Sequence, residues 1–340
     1  MPQPGREAKI EHMDIENTAE LLDYLRQEGH IRLGELAQCR VLDGGVSNRT
    51  VLVARPSGET WIVKQALAKL RVADEWFSPP ERIMREAKGM VALGRIAPRG
   101  TITPLLFTDP KKYLLAMASV PSPHENWKSV LLSGRIERDH FEQFASLLSA
   151  VHRGGASREF REEFDDRSFF ELLRIEPYYL VTAARIPAAS PFLDALVDET
   201  RARRLTLVHG DYSPKNILIH KGQLVLVDHE VVHFGDPAFD VGFSMAHLLS
   251  KAHHVKAARQ ALAVAADYYW KVYSRSGGMA SESPSVRHSL GCLLARVAGR
   301  SPLEYFDDEE RSRQQNAVIA LMADPPLTMT ELITRFLECL

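Results

Sequence analysis

The sequence predicts an α+β chain in two parts: a small antiparallel sheet with one inserted helix, then a larger, mainly α-helical remainder. Three observations carry this. Short apolar runs joined by turn residues crowd positions 39–117. Apolar residues recur at helical spacing from Phe141 onward. Between the two, Val120-Pro-Ser-Pro123 breaks both patterns. The expected parts are therefore residues 1–119 and 120–340. Each is long enough to bury a core of its own.

Residues Glu16 to Gln27 read as an amphipathic helix with Leu21, Leu22 and Leu25 on one face. Arg40-Val-Leu42 is a short strand, and Asp43-Gly-Gly-Val-Ser-Asn48 is a turn-rich loop. Thr50–Ala54 and Thr60–Lys64 are strands joined by Pro56-Ser-Gly58, a hairpin signal. Pro79-Pro80 opens a helix running to about Leu93, since proline suits a first turn. Ile102–Phe107 and Tyr113–Met117 read as two further strands. In the second part, Phe141–His152, Phe169–Leu173, Phe192–Arg201 and Phe243–Tyr273 have helical spacing. Two short strands interrupt them, one before Asp211 and one before Asp228. Gly277 to Pro284 is the best candidate for a mobile loop.

Composition excludes several classes of function. A formal charge of −2 gives no basic field to favour nucleic acid or a membrane surface. Arg201, Arg203 and Arg204 read as a solvated helix end. Cys39, Cys292 and Cys339 are odd in number and far apart, which argues against a disulfide framework or a zinc site. The opening Met1-Pro-Gln-Pro-Gly-Arg6 lacks the apolar core of a signal peptide. No apolar run approaches the roughly 18 residues needed to span a bilayer. The expectation is a cytoplasmic protein; a homodimer stays open.

The chemistry sits in Leu207-Val-His-Gly-Asp-Tyr-Ser-Pro-Lys-Asn216 and Leu224-Val-Leu-Val-Asp-His-Glu230. Two apolar strands each end beside a carboxylate, and an amide follows the first by five residues. Phosphoryl transfer needs that set: one carboxylate to orient a hydroxyl, then an amide and a second carboxylate to hold metal on a nucleotide. Asp211 is the candidate base, after Gly210 has let the backbone turn. Asn216 and Asp228 are the candidate Mg2+ ligands, with Glu230 a further one, because Mg2+ prefers hard oxygen donors. Lys215 is placed to reach the transferring phosphate.

The first part holds complementary pieces. Gly44, Gly45, Ser47 and Asn48 form a loop whose N–H groups are able to approach the phosphates of ATP. Lys64 ends an apolar strand, and a buried lysine needs an anionic partner. Glu86, on the helix after Pro80, fits that role and would aim Lys64 at the α/β-phosphates. Each piece has a bland alternative: Asp211 as a turn residue, Asp228 as a hairpin cap, Lys64 as a snorkelling strand residue. The joint order of all of them favours the catalytic reading.

His209-Gly-Asp-x-x-x-x-Asn216 resembles the catalytic loop of the aminoglycoside phosphotransferase and choline kinase superfamily of small-molecule kinases. The resemblance covers roughly residues 35–310. It implies a bilobal protein-kinase-like fold and ATP-dependent transfer of a γ-phosphoryl group to a hydroxyl acceptor. Gly210 replaces the arginine usual in protein kinases, and no Ala-Pro-Glu signature follows, so a protein substrate is not implied. Gly235-Asp-Pro-Ala-Phe-Asp240 resembles the segment after the metal site, which implies that Asp240 caps a helix. Val63-Lys-Gln-Ala-Leu-Ala-Lys-Leu-Arg71, Leu173-Arg-Ile-Glu-Pro-Tyr178 and Asp228-x-Glu230 resemble the methylthioribose kinases within the superfamily. Leu294–Arg300 lies where those enzymes present paired arginines, which implies a charge-stabilising role for Arg296; residue 295 is alanine. The resemblance also implies that adenine rests against the backbone near Ala118 and Val120.

The acceptor stays open among sugars, thiosugars and amino alcohols, and an aminoglycoside O-phosphotransferase is an alternative reading. The acidic run Glu159, Glu162, Glu163, Asp165 and Asp166 would suit a cationic acceptor but reads better as a solvated helix end. Two other classes are a metal-dependent hydrolase built on His209, Asp211, Asp228, His229, His233 and Asp236, and a catalytically silent nucleotide-binding module.

Overall fold

The computed structural model describes residues 13–43, 45–72 and 75–340. The first helix, α1 (Thr18–Gln27), buries Leu21, Tyr24 and Leu25, so Tyr24 takes the inward place expected of Leu22. Five strands follow: β1 (Gln38–Val41), β2 (Asn48–Ala54), β3 (Thr60–Ala66), β4 (Leu105–Asp109) and β5 (Leu114–Ala118). They form one antiparallel sheet in the order β1-β2-β3-β5-β4. The fourth strand starts later than expected. Pro104 has no N–H to give a ladder, so pairing begins at Leu105, while Ile102 makes an isolated parallel bridge to Leu226. Helix α2 (Arg82–Ile96) is the inserted helix; its Ile83, Ala87 and Met90 pack on Ala66, Leu115 and Met117 of the sheet.

The remainder begins with β6 (Glu125–Asn126), α3 (Trp127–Leu132), α4 (Arg138–Gly155), α5 (Arg158–Phe164) and α6 (Ser168–Phe170). A wide π-type turn over Glu171–Leu180 then leads into α7 (Val181–Arg185) and α8 (Ser190–Ala202). A regular helix is expected near 169–173, but Pro177 lies inside this segment and cannot donate in an ordinary helical ladder. The widened turn accommodates it.

Four short strands carry the two motifs: β7 (Thr206–Val208), β8 (Ile217–His220), β9 (Gln223–Leu226) and β10 (His233–Gly235). β7 pairs with β10, and β8 pairs with both β6 and β9, all antiparallel. Four helices close the chain after α9 (Pro237–His254): α10 (Arg259–Arg275), α11 (Glu282–Ala298), α12 (Asp308–Ala323) and α13 (Met329–Glu338).

The single helix expected over 243–273 is two, α9 and α10. Arg259 supplies the reason: its guanidinium donates to Ala252 O and His253 O, satisfying end carbonyls of α9 so that the chain can turn. The expected loop 277–284 is shorter, because α11 starts at Glu282 and Ala280 N donates to Tyr273 Oη at 2.9 Å. Helices α12 and α13 were not anticipated, although Asp307 and Thr328 each cap a first turn whose third residue is glutamate. The three arginines expected at a solvated helix end lie at the end of α8, partly exposed, and pair with Glu171, Asp236 and Asp165. All three cysteines are free. Among the described residues no single helix is long and apolar enough to cross a membrane.

Helix α9 is the axis of the second part, buried from Pro237 to His253. It passes α11 at Gly242, where a Cβ would lie 2.7 Å from His288 C and Ser289 N. Gly242→Ala is expected to cost about 1–3 kcal/mol, because two helix backbones must separate. Gly94→Ala, on α2 with open space around it, is expected to gain up to about 1 kcal/mol from helix propensity. Urea melts of the two variants check the pair.

Candidate active site

The loop after β7 is shaped by a buried carboxylate. Asp240, in the first turn of α9, accepts from His209 N at 2.7 Å and Gly210 N at 2.8 Å. It does not cap the helix; Asp236 does, accepting from Ala238 N at 2.9 Å. Gly210 has φ +76°, and a Cβ there would lie 2.9 Å from Val231 O, so a side chain is excluded twice over. Arg174, on the wide turn, donates Nε–H to Gly210 O at 2.6 Å. The loop is thus fixed from both sides before Asp211 is reached.

Asp211 is buried and surrounded. Arg174 Nη2 lies 2.8 Å from Oδ1 and Lys215 Nζ 2.9 Å from Oδ2. Asn216 Nδ2 donates to Oδ2 at 2.7 Å and to Asp211 O at 2.9 Å. Burial by itself would raise this carboxyl; Arg174 and Lys215 outweigh it and hold the group below the usual carboxylate range. Asp211 is therefore ionised at neutral pH and fixed in direction.

The β8–β9 hairpin returns the chain to the same place. Val227 N donates to Asn216 O at 2.9 Å, which sets Asp228 beside the amide. Asp228 itself has φ +70°, a left-handed conformation uncommon for a non-glycine residue. Lys64 Nζ, on β3, lies 3.1 Å from Asp228 Oδ1 and 2.6 Å from Glu86 Oε1 on α2. Burial opposes the Lys64 charge, but Asp228 and Glu86 outweigh it and hold the ammonium above its ordinary pKa. Glu86 is pushed up by burial and by its acidic neighbours, against the pull of Lys64. Gly89 permits this approach of α2: a Cβ there would lie 3.0 Å from His229 O.

Glu230 is held differently. Buried Arg82, four residues before Glu86 on α2, donates Nε–H to Glu230 Oε2 at 3.1 Å and also bonds Ser47 O. Asn48 Nδ2 reaches the same carboxylate at 3.4 Å. The glycine loop is thereby tied to the segment after Asp228. A Cβ on Gly45 would lie 2.5 Å from Asn48 O, so glycine is required there; Gly44 lies outside the described residues.

Oxygens of Glu86, Asp228 and Glu230 all lie within 4.8 Å of one another. Three carboxyl groups face two cations, Lys64 and Arg82, and with Glu86 pushed up to about 7 the surplus negative charge at neutral pH is partial. With the Asn216 amide nitrogen turned to Asp211, its oxygen is the end available to a cation. This oxygen-only set suits a hard divalent cation. The histidines of the hydrolase reading do not join it. His209 Nε2 and His229 Nδ1 face each other at 3.2 Å, and His233 bonds Val231 O and stacks on Phe170.

The remaining expected residues lie around this centre. Ala118 N donates to Pro104 O and Ser119 N to Thr60 O, so Val120 keeps the N–H that no described residue accepts. Arg296, on α11, donates to Tyr178 Oη at 3.1 Å and to Ser301 Oγ at 3.0 Å. Arg296 and Arg174 share Tyr178: the two guanidinium carbons lie 5.9 and 5.7 Å from the same ring centroid. The reading of sequence missed Arg82, Arg174 and the loop-fixing role of Asp240. Only Arg82 left a local signal, its helical spacing to Glu86.

The chain belongs to the phosphotransferase enzyme family, whose model matches residues 38–278. It is similar to the methylthioribose kinase of Pectobacterium carotovorum subsp. carotovorum, at 27% identity over 262 residues, 67% of this chain and 64% of that protein. It is also similar to the methylthioribose kinase of Yersinia enterocolitica, at 26% identity over 261 residues, 68% of this chain and 65% of that one. The match thus spans just under two thirds of the length of these relatives. Among solved structures, an amicoumacin kinase in complex with AMP-PNP and Ca2+ superposes with a TM-score of 0.59 at 13% identity, over 95% of this chain and 99% of that one. A choline/ethanolamine kinase family protein from Mesorhizobium loti gives 0.56 at 16% identity, over 94% and 98%. The fold is the bilobal protein-kinase-like fold.

Arg82→Met is expected to destabilise the chain by about 3–5 kcal/mol, since it strands Glu230 without its buried partner. The double variant Arg82→Met/Glu230→Met is expected to regain most of that loss, and denaturant melts of all three chains check the coupling.

A second prediction concerns Lys251 on α9, fully buried. Burial, with Lys128 and Arg296 adding to it and Glu304 opposing, lowers its pKa from the ordinary 10.5 to about 7. Below pH 7 the folded and unfolded chains both hold this proton, and the burial penalty is complete. Between about 7 and 10.5 the unfolded chain holds more of it, so stability rises with pH. Lys251→Met is therefore expected to raise Tm most at pH 6, with the gain shrinking toward pH 10.

Proposed function

We propose that this chain is a small-molecule kinase that moves the γ-phosphoryl group of ATP, with Mg2+, to a hydroxyl of its acceptor. The observation that carries the reading is the pair of carboxylates Asp211 and Asp228 flanking one amide, Asn216, with Lys64 held against the second of them. Similarity to the methylthioribose kinases and membership of the phosphotransferase family support it.

In this reading Asn216 and Asp228 hold the metal, with Glu230 at its edge, and Mg2+ supplies charge neutralisation on the phosphates. Lys64, aimed by Glu86, and the loop of Gly45, Ser47 and Asn48 grip the phosphates. Val120 offers its N–H to the adenine. Asp211 takes the hydroxyl proton as the acceptor oxygen bonds the γ-phosphorus. The bond to the β–γ bridging oxygen breaks, and its electron pair leaves with ADP. Lys215 neutralises the transferring group, and Arg174 keeps Asp211 ionised and directed.

Asp211→Asn is expected to lower acceptor-dependent ADP release by about 10²- to 10⁴-fold while ATP still binds by calorimetry. Unchanged turnover in this variant would refute the base assignment. Chelation with EDTA is expected to abolish turnover, and added Mg2+ to restore it.

A further inference from the structure

One face of α9 carries Phe243, His247 and Lys251 at four-residue spacing. It starts beside the catalytic loop: Phe243 packs 5.6 Å from the Arg174 guanidinium, and Ser244 Oγ donates to Tyr212 O. It ends at a group of basic side chains to which the phosphoryl-transfer steps described above give no part. Lys251 Nζ is fully buried, and its one hydrogen bond goes to His247 O at 3.2 Å, within its own helix. Lys251 and Lys128, from α3, lie 5.6 and 5.8 Å from the centroid of Tyr305. Arg296 approaches from α11 and acts on Lys251 and Tyr305 alike. The carboxylate that faces them, Glu304, is taken by Lys128.

Three basic side chains thus share one carboxylate, and polar atoms within the group lack partners: Arg296 Nε, His247 Nε2 and Tyr305 Oη are buried and unbonded among the described residues. Burying an ammonium without a counter-charge is costly; here burial lowers the Lys251 pKa to about 7, and an anion seated beside it would restore its charge. Burial holds His247 well below the ordinary imidazole pKa, with Arg296, Lys251, Lys215 and Lys128 adding to it.

We propose that the acceptor carries an anionic group, a carboxylate or a phosphate, seated among Lys251, Lys128 and Arg296 while its hydroxyl faces Asp211. This rests on the kinase reading above and adds the acceptor's charge to it. The anion takes no part in bond making; it fixes the acceptor's position. Cationic acceptors such as aminoglycosides are disfavoured by the same charges.

The test is a coupled ADP-release assay over matched alcohols differing in charge: glycerol, glycerate and glycerol 3-phosphate; glucose, gluconate, glucose 6-phosphate and glucosamine. At least one anionic member is expected to exceed its neutral and cationic counterparts by 10-fold or more in kcat/KM. Carboxylate against phosphate members tells the two anions apart. Lys251→Met and, separately, Lys128→Met are expected to raise KM for that acceptor at least 10-fold while the KM for ATP stays within 2-fold. Neutral or cationic members turned over as well as the anionic ones would overturn the proposal and leave the kinase reading standing. If no member reacts, inorganic phosphate and citrate decide: each is expected to raise the Tm of the native chain and not of Lys251→Met, and equal shifts in both overturn the anion site. Absence of Mg-ATP binding by calorimetry would instead sink the kinase reading itself.

Discussion

One buried ammonium, Lys64 Nζ, joins the sheet to the helical part of this protein. It comes from β3 and meets Glu86 from α2 and Asp228 from the turn after β9. Without it two carboxylates would face each other in a poorly solvated space, and α2 would lose its reason to approach that turn. Buried ion pairs of this kind seldom add net stability, because desolvation offsets most of the attraction. What they do well is fix geometry. Here the geometry fixed is the separation between the strand lysine and the second carboxylate, the pair to which the proposed reading gives the nucleotide. Arg82 repeats the device one helical turn away, tying Glu230 to the glycine loop.

Charge changes sign along the site. At Glu86, Asp228 and Glu230 the carboxylates outnumber the cations. At Asp211 the carboxylate is met by Arg174 and Lys215. Beyond Tyr178, Arg296, Lys251 and Lys128 outnumber Glu304. On the proposed reading this progression suits a divalent cation at one end, a transferring phosphoryl group in the middle and an anionic acceptor at the other. Tyr178 touches both the middle and the far end, with the guanidinium carbons of Arg174 and Arg296 5.7 and 5.9 Å from its ring centroid. Ala295 stands where the resemblance to methylthioribose kinases leads one to expect a second arginine.

The motifs were legible because they are local. Gly210 needs its left-handed turn, the apolar runs beside Asp211 and Asp228 are short strands, and Pro56-Ser-Gly58 makes a hairpin whatever surrounds it. The order of Lys64, Glu86, Asp211, Asn216 and Asp228 along the chain was therefore enough to expect a sheet-plus-helix kinase architecture, and the structure brings these residues together. Errors gathered where local pattern was ambiguous. An unbroken helical spacing hid the break between α9 and α10, which a side chain from the following helix creates. The helical spacing read over Phe169–Leu173 gave no sign of the wide turn that carries Pro177 within it. Asp240 was expected to cap a helix because its segment resembles that of the family, yet its carboxylate turns to the backbone of His209 and Gly210.

The chain by itself determined which chemical groups are available and the short elements that carry them, since turn chemistry and apolar periodicity act over a few residues. Folding decided which charges meet. Arg82 finds Glu230 across 148 residues and Arg174 finds Gly210 across 36. Lys251 ends beside Lys128 and Arg296 through the packing of three helices and not through any spacing in the sequence. Electrostatic partnership depends on distance and burial in space, and only the packed chain sets those.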